Sequence, residues 1–275
     1  MTEASDAAAA DRALKTRHRQ MWALGDYPAV ASRLIPELGE VLTRACGVTS
    51  GQRVLDVAAG SGNAAIPAAK AGAHVVASDL TPELLDVGRQ LAGEQGLDLE
   101  WEEADAEALP YADGDFDTVM SCVGVMFAPH HQATADELVR VCRSGGRIGL
   151  VNWTPQGFIG QMFSAMKPFA PPPPPGAQPP PLWGDEAHVR ALFGDKVADV
   201  EARTRTVRVD RFDRPLEFRE FFKNCYGPTI AVYKANADDP ARTESLDREL
   251  DALAERFMSN GAMDWEYLLF TARVL

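Results

Sequence analysis

The most informative segment of this chain is Val54-Leu55-Asp56-Val57-Ala58-Ala59-Gly60-Ser61-Gly62-Asn63. A short apolar run leads into two closely spaced glycines, and an alanine-rich stretch follows them up to Lys70. The order predicts a strand, a glycine turn and a helix. Glycines let a backbone approach a ligand closely, and the start of a helix offers free amides. The segment therefore predicts a site for a nucleotide-type ligand.

Three acids bear on which cofactor this site takes. Read as G-x-G-x-x-A, residues 60–65 match the dinucleotide fingerprint only loosely. Asp79 ends the next apolar run, 19 residues after Gly60, where a carboxylate can accept hydrogen bonds from both hydroxyls of a ribose. Asp56 can meet an ammonium group, which NAD lacks, and Asp105 can accept from an adenine amino group. These acids favour S-adenosylmethionine over a nicotinamide cofactor.

Short apolar runs alternate with helical patterns as far as residue 153. The predicted strands are 53–58, 74–79, 97–104, 117–121 and 147–153. This alternation predicts an α/β fold with a doubly wound, mostly parallel sheet. The later stretches 158–169, 185–193, 215–234 and 240–258 have helical patterns, and 197–209 and 265–274 have strand patterns.

Two segments of biased composition interrupt this plan. Residues 1–13 are rich in Ala and Asp and are compatible with disorder. The proline runs 171–175 and 179–181 predict a stiff extended loop, which is either a spacer or a cover for the site.

Several of these motifs resemble those of class I S-adenosylmethionine-dependent methyltransferases. They are Asp56–Asn63 as quoted above, Asp79, Asp105-Ala106-Glu107-Ala108-Leu109-Pro110, Phe116-Asp117 and Arg143-Ser144-Gly145-Gly146-Arg147. The branch that includes the ubiquinone/menaquinone-biosynthesis enzymes is the most similar, over residues 52–153. The resemblance implies a seven-stranded Rossmann-like sheet with an antiparallel last strand and a helical cap. Ala58 departs from the usual first glycine and Ser144 from the usual proline.

The resemblance also assigns roles to cofactor-binding residues. It places Asp56, Gly60 and Gly62, with Ala58 in the same turn, along the methionine part of the cofactor. Asp79 would hold the ribose, with Leu80 beside the adenine. Asp105 and Ala106 would read the adenine edge, and Ser121, Cys122 and Val123 would pass beneath the methionyl group.

Histidines are the candidate catalytic residues. Methyl transfer from a sulfonium is an in-line displacement that needs a base only when the nucleophile arrives protonated. His130 and His131 follow the fourth predicted strand, so either is a candidate base or a solvated histidine at a helix start. Adjacent histidines point in different directions on a helix, so no metal site is predicted. His18 lies near Trp22 and Tyr27, in a segment that is either a lid over the cofactor or a helix packed on the sheet.

An apolar set is interpreted either as a substrate pocket or as core. Its members are Met126, Phe127, Trp153, Phe158, Met162 and Tyr226. The pocket interpretation implies a small apolar or aromatic acceptor. A separate run of basic residues, Arg203, Arg205, Arg208, Arg211 and Arg214, either protects a sheet edge or recognises a carboxylate or phosphate.

Composition limits the partners. The net charge is -13, and most of the acidic excess lies in residues 51–150, which disfavours nucleic acid. The four cysteines form no C-x-x-C pair, which argues against a disulfide framework or structural zinc. The sequence shows no signal peptide and no long apolar run, so a cytoplasmic protein without a membrane partner is expected.

The sequence thus predicts a methyltransferase that uses S-adenosylmethionine and acts on a small molecule. Residues 1–50 are expected to form a helical lid, 51–153 the cofactor-binding core, and 154–275 a cap and the final strands of the same domain. Two alternatives stay open, a non-catalytic protein that binds S-adenosylmethionine and a nicotinamide-dependent oxidoreductase. The acceptor, the atom methylated and the oligomeric state do not follow from the sequence.

Overall fold

The structure is a computed structural model that describes residues 2–174 and 176–275. The last proline of the first predicted proline run, Pro175, lies outside the described residues. The helices are α1 (Thr2–Trp22), α2 (Tyr27–Leu34), α3 (Glu37–Ala45), α4 (Ala65–Lys70), α5 (Pro82–Glu94), α6 (His131–Val141), α7 (Phe158–Met166), α8 (Glu186–Phe193), α9 (Pro215–Cys225), α10 (Gly227–Ala235) and α11 (Pro240–Phe257). The strands are β1 (Arg53–Val57), β2 (His74–Asp79), β3 (Glu100–Glu103), β4 (Phe116–Cys122), β5 (Cys142–Trp153), β6 (Val197–Val209) and β7 (Met263–Val274).

All seven strands form one sheet in the order β3-β2-β1-β4-β5-β7-β6. The pairings among the first five strands are parallel, whereas β7 lies antiparallel between β5 and β6. Strands β1 and β4 are buried along almost their whole length, because helices cover both faces of a parallel sheet. The prediction of a doubly wound sheet with an antiparallel last strand is confirmed.

Several predicted boundaries change. Residues 2–13 belong to α1, so disorder was the wrong interpretation of a segment whose alanines are strong helix formers. Strand β3 is shorter than predicted, and β5 begins at Cys142 instead of Arg147. The predicted helix 215–234 is two helices, because Tyr226 is extended and Pro228 starts a new first turn.

The helices before β1 and after β5 determine what surrounds the carboxyl ends of the parallel strands. Helix α1 packs against α10, and α11 packs against α7 and α9. Phe158 of α7 stacks on Trp265 of β7 with ring centroids 5.4 Å apart, which joins this layer to the sheet. Among the helices that the structure describes, none has the length and apolarity to cross a membrane.

Candidate active site

A cleft opens at the carboxyl ends of β1, β2 and β4, where an α/β sheet places its ligands. Its empty volume, including the part open to solvent, is about 680 Å³. The floor comes from Ala58, Gly60, Asp79 and Leu80, and Asp105 and Ala106 lie at the rim. One wall comes from the N-terminal helices through Lys15, His18, Trp22 and Tyr27, and the opposite side from the segment after β4, including Val123 and Phe127.

The two turns at the floor of the cleft have left-handed backbone conformations. Ala58 has φ 54° and Val123 has φ 60°, which are rare values for residues with a Cβ and especially for a β-branched one. A Cβ added to Gly124 would lie 2.2 Å from the carbonyl oxygen of Ala58, so the two turns are in close contact. Strain of this kind is concentrated at ligand sites. Ala58 thus adopts the conformation that the usual glycine would supply.

Asp79 fixes the glycine turn. Its carboxylate accepts hydrogen bonds from the backbone amides of Gly60 and Thr81, each at 2.8 Å. Burial raises the pKa of Asp79 although these amides favour its charged form. A carboxylate has about four acceptor positions, so two are left for a ligand in the cleft.

Asp56 occupies a different position from the one the resemblance implies. It is 1% exposed and does not line the cleft, and neither carboxylate oxygen has a hydrogen-bond partner among the described residues. Burial raises the pKa of Asp56 to about 8; the nearby Ala65 amide opposes this shift and the charge of Asp79 reinforces it. A buried carboxyl group without a partner suits a cationic ligand group. In this structure, however, Asp56 is not accessible from the cleft.

Asp105 belongs to an ion-pair network at the rim of the cleft. The ammonium group of Lys15 donates to Asp105 at 2.9 and 2.7 Å and to Glu107. Glu107 also accepts from the backbone amide of His130 at 2.7 Å and lies 2.9 Å from its Nδ1. Glu107, His130 and Asp11 are close enough to share a metal ion, but Lys15 already supplies a positive charge to these carboxylates.

The two predicted catalytic histidines have different surroundings, and neither lines the cleft. His130 is held by Glu107 at the rim. His131 is fully buried, with Nδ1 3.0 Å from Nε2 of His188. Burial and the neighbouring His188 lower the pKa of His131 to about 4. His18 does line the cleft, and burial together with Lys15 lowers its pKa, which favours the neutral ring.

Aromatic rings form the wall above the cleft floor. The Trp22 ring centroid lies 4.6 Å from Phe127, 5.3 Å from Tyr27 and 5.8 Å from Tyr226. Tyr226 packs on the side of this wall that faces away from the cleft, so it does not line the cleft. The ring centroid of Phe163 lies 5.9 Å from that of Phe127. The cleft is therefore bordered by an apolar, aromatic surface.

Other predicted residues lie outside the cleft lining. They are Gly62, Ser121, Cys122, Met126, Trp153, Phe158 and Met162. Gly62 has φ 86° and packs directly against the Trp101 ring. A Cβ added to Gly62 would lie only 2.8 Å from that ring. The Ser121 hydroxyl accepts from the Val125 amide at 3.0 Å and so shapes the turn after β4. Trp153 packs on Trp265, as a core residue does.

Comparison with known proteins agrees with this fold. A family model described as a methyltransferase domain matches residues 54–146. The YcgJ protein from Bacillus subtilis shares the fold, with a TM-score of 0.58 at 17% identity over 86% of this chain and 98% of that one. Residues 54–146 therefore form a class I S-adenosylmethionine-dependent methyltransferase domain, as the motifs predicted.

The chain is also similar in sequence to particular proteins. The chain is 54% identical over 258 residues to Uncharacterized protein Rv1403c of Mycobacterium tuberculosis. The aligned region covers 94% of each sequence. It is 43% identical over 107 residues to the demethylmenaquinone methyltransferase of Clavibacter sepedonicus, covering 38% of this chain and 43% of that protein. The first similarity spans nearly the whole chain, whereas the second covers less than half of it.

Proposed function

We propose that the protein transfers a methyl group from S-adenosylmethionine to a small apolar or aromatic molecule. The observation that carries the proposal is the single cleft in which Gly60, Asp79 and Asp105 meet the aromatic wall of Trp22, Tyr27 and Phe127. The acids at the floor and rim suit the polar groups of the cofactor, and the apolar wall above them suits the methyl acceptor.

The cofactor fits the floor of the cleft. The free acceptor positions of Asp79 suit two ribose hydroxyls, and Leu80 offers an apolar contact for a flat base. Asp105 lies where it can accept from an adenine amino group, with Ala106 beside it. The left-handed turns at Ala58 and Val123 would let the backbone approach the methionine part of the cofactor closely. When bound, S-adenosylmethionine supplies a methyl group on a positively charged sulfur.

The acceptor is aligned by the aromatic wall, which also keeps water away from the reacting atoms. His18 is the side chain best placed to take a proton from an acceptor hydroxyl or amine, because it is neutral and lines the cleft. His130 and His131 stay candidates by sequence, but His130 is engaged by Glu107 and His131 by His188.

The N-terminal segment is proposed to act as the lid. Residues 1–50 supply the wall through Lys15, His18, Trp22 and Tyr27. Residues 51–153 supply the floor, and residues 154–275 supply the cap and the last two strands. Lys15 holds α1 to the loop after β3 and so keeps the lid against the rim of the cleft.

The proposal is tested in two steps with the full chain. Calorimetry with S-adenosylhomocysteine is expected to show saturable binding, and saturable binding of NADH in its place would support the oxidoreductase alternative. Methyl-labelled S-adenosylmethionine is then incubated with the protein and an extract of the source cells. A labelled small apolar product is expected from the wild type and not from Asp79→Asn. Tight cofactor binding with no labelled product from any extract would indicate a non-catalytic binding protein.

A further inference from the structure

A second groove lies on the face of the sheet beside α3. Its empty volume, including the open part, is about 620 Å³, and it shares no lining residue with the cofactor cleft. Its charged lining residues are Arg44 of α3, Arg147 of β5, and Glu201, Arg203 and Arg205 of β6. Four guanidinium groups and one carboxylate therefore surround this groove.

The strand register explains why these side chains share one face. Thr271 of β7 is opposite Gly149 of β5 on one side and Glu201 of β6 on the other. Residues directly opposite each other, and those two positions away along a strand, project from the same face. Arg147, Arg203 and Arg205 therefore project towards α3.

Helix α3 closes one side of the groove. A Cβ on Gly149 would lie 2.1 Å from the Cys46 sulfur, so this glycine lets the end of α3 rest directly on β5. The close contact brings Arg44 to the same groove as the strand arginines.

The charges in the groove are not balanced. Arg203 pairs with Glu201 at 2.9 Å, and the contact of Arg44 with Glu40 is long, at 4.0 Å. Arg147 and Arg205 make no ion pair with any acid in the described part of the chain. This local positive charge occurs in a chain with a net charge of -13. Arginines that line one groove repel each other, and an anion bound between them would reduce this repulsion.

We propose that this groove binds a small molecule that carries phosphate groups. Guanidinium groups present paired donors that match phosphate oxygens. Protection of the sheet edge explains Arg203 and Arg205 on the edge strand β6, but not the convergence of Arg147 from β5 and Arg44 from a helix on the same groove. Binding at this groove is independent of the methyl-transfer reaction.

The test is calorimetric titration of the full chain with inorganic pyrophosphate at low salt. Arg205→Gln is expected to weaken binding about fivefold, and the double variant Arg147→Gln/Arg205→Gln roughly 25-fold. Glu201→Gln is expected to tighten binding, because it removes the one carboxylate and releases Arg203. Arg208→Gln is the matched control, since Arg208 is an exposed arginine of the same strand that does not line the groove. All variants should keep the wild-type affinity for S-adenosylhomocysteine, which also separates a failure here from a failure of the proposed function.

Three results would overturn the proposal. One is the absence of saturable pyrophosphate binding to the wild type. Another is equal weakening in Arg205→Gln and Arg208→Gln, which would indicate charge screening without a site. The third is capture by phosphatidylglycerol vesicles that the double variant loses, without saturable pyrophosphate binding, because the phosphate would then belong to a lipid headgroup.

Discussion

The ammonium group of Lys15 lies 2.9 and 2.7 Å from the two carboxylate oxygens of Asp105, 90 residues further along the chain. The same group donates to Glu107, so its three donors meet three carboxylate oxygens. Burial lowers the pKa of Lys15, but the two carboxylates outweigh this effect and raise it. The contact therefore attaches α1 to the rim of the cleft at the position proposed for the adenine.

Replacing Lys15 with Met is predicted to loosen α1. The substitution keeps an unbranched side chain but leaves Asp105 and Glu107 without their cation. Charge-assisted hydrogen bonds contribute about 1.5–3 kcal/mol, so S-adenosylhomocysteine should dissociate roughly tenfold faster or more, measured by stopped flow. Limited proteolysis should also cut within α1 sooner.

Arg17→Met is the matched control for this prediction. Arg17 is an exposed cation of the same helix and does not line the cleft, so its replacement should leave both the dissociation rate and the proteolysis unchanged. Equal behaviour of Lys15→Met and the wild type would contradict a lid held by Lys15.

Asp79→Asn is predicted to weaken cofactor binding strongly. The amide group keeps one acceptor oxygen but loses the charge, so it cannot satisfy the Gly60 and Thr81 amides together with a ribose. Calorimetry should show S-adenosylhomocysteine affinity reduced roughly 30-fold, which corresponds to about 2 kcal/mol. Asp86→Asn, at an exposed acid of α5, should bind as the wild type does. Unchanged affinity in Asp79→Asn would remove this residue from the proposed site.

Local patterns were sufficient for the sheet but not for everything around the cleft. The boundaries of β6 agree with the strand predicted at 197–209, because its alternating residues and flanking polar turns are local signals. Lys15 was not predicted as a site residue, since its partners are 90 and 92 residues away and no spacing rule connects them. Contacts of this kind are determined by how α1 packs, which depends on the whole fold.

His131 shows a related limit. The sequence places it at the start of a helix after β4, where either of two neighbouring histidines is a candidate base. In the structure His131 is turned inward against His188, whose position depends on the late helix α8. The same residue type in the same segment thus becomes either a rim residue, as His130 does, or a core residue.

Asp56 is predicted to make the protein less stable as the pH rises. Its folded-state pKa of about 8 lies above the value of about 3.9 for an unfolded aspartate, so unfolding releases a proton between these pH values. The free energy of unfolding therefore falls with rising pH in this window, by at most about 1.4 kcal/mol per pH unit for one proton. Asp56→Asn has no titrating carboxyl group at this position. The free energy of unfolding of the variant minus that of the wild type should therefore increase from pH 5 to pH 8.

Urea unfolding at several pH values measures this difference. Asp86→Asn is again a suitable control, because its carboxylate is largely exposed, and this variant should keep the pH profile of the wild type. Parallel pH profiles for Asp56→Asn and the wild type would show that Asp56 is already ionised in the folded protein.

Trp22 is predicted to report cofactor binding through its fluorescence. It lines the cleft, whereas Trp153, Trp183 and Trp265 are buried away from it. Adding S-adenosylhomocysteine should change the emission of the wild type, and Trp22→Phe should lose most of this change while keeping an aromatic ring against Phe127 and comparable affinity by calorimetry. Trp101→Phe, which alters a half-buried tryptophan outside the cleft lining, should keep the change. A signal that persists in Trp22→Phe and disappears in Trp101→Phe would place the ligand on the other side of the glycine turn, against the Trp101 ring that Gly62 admits.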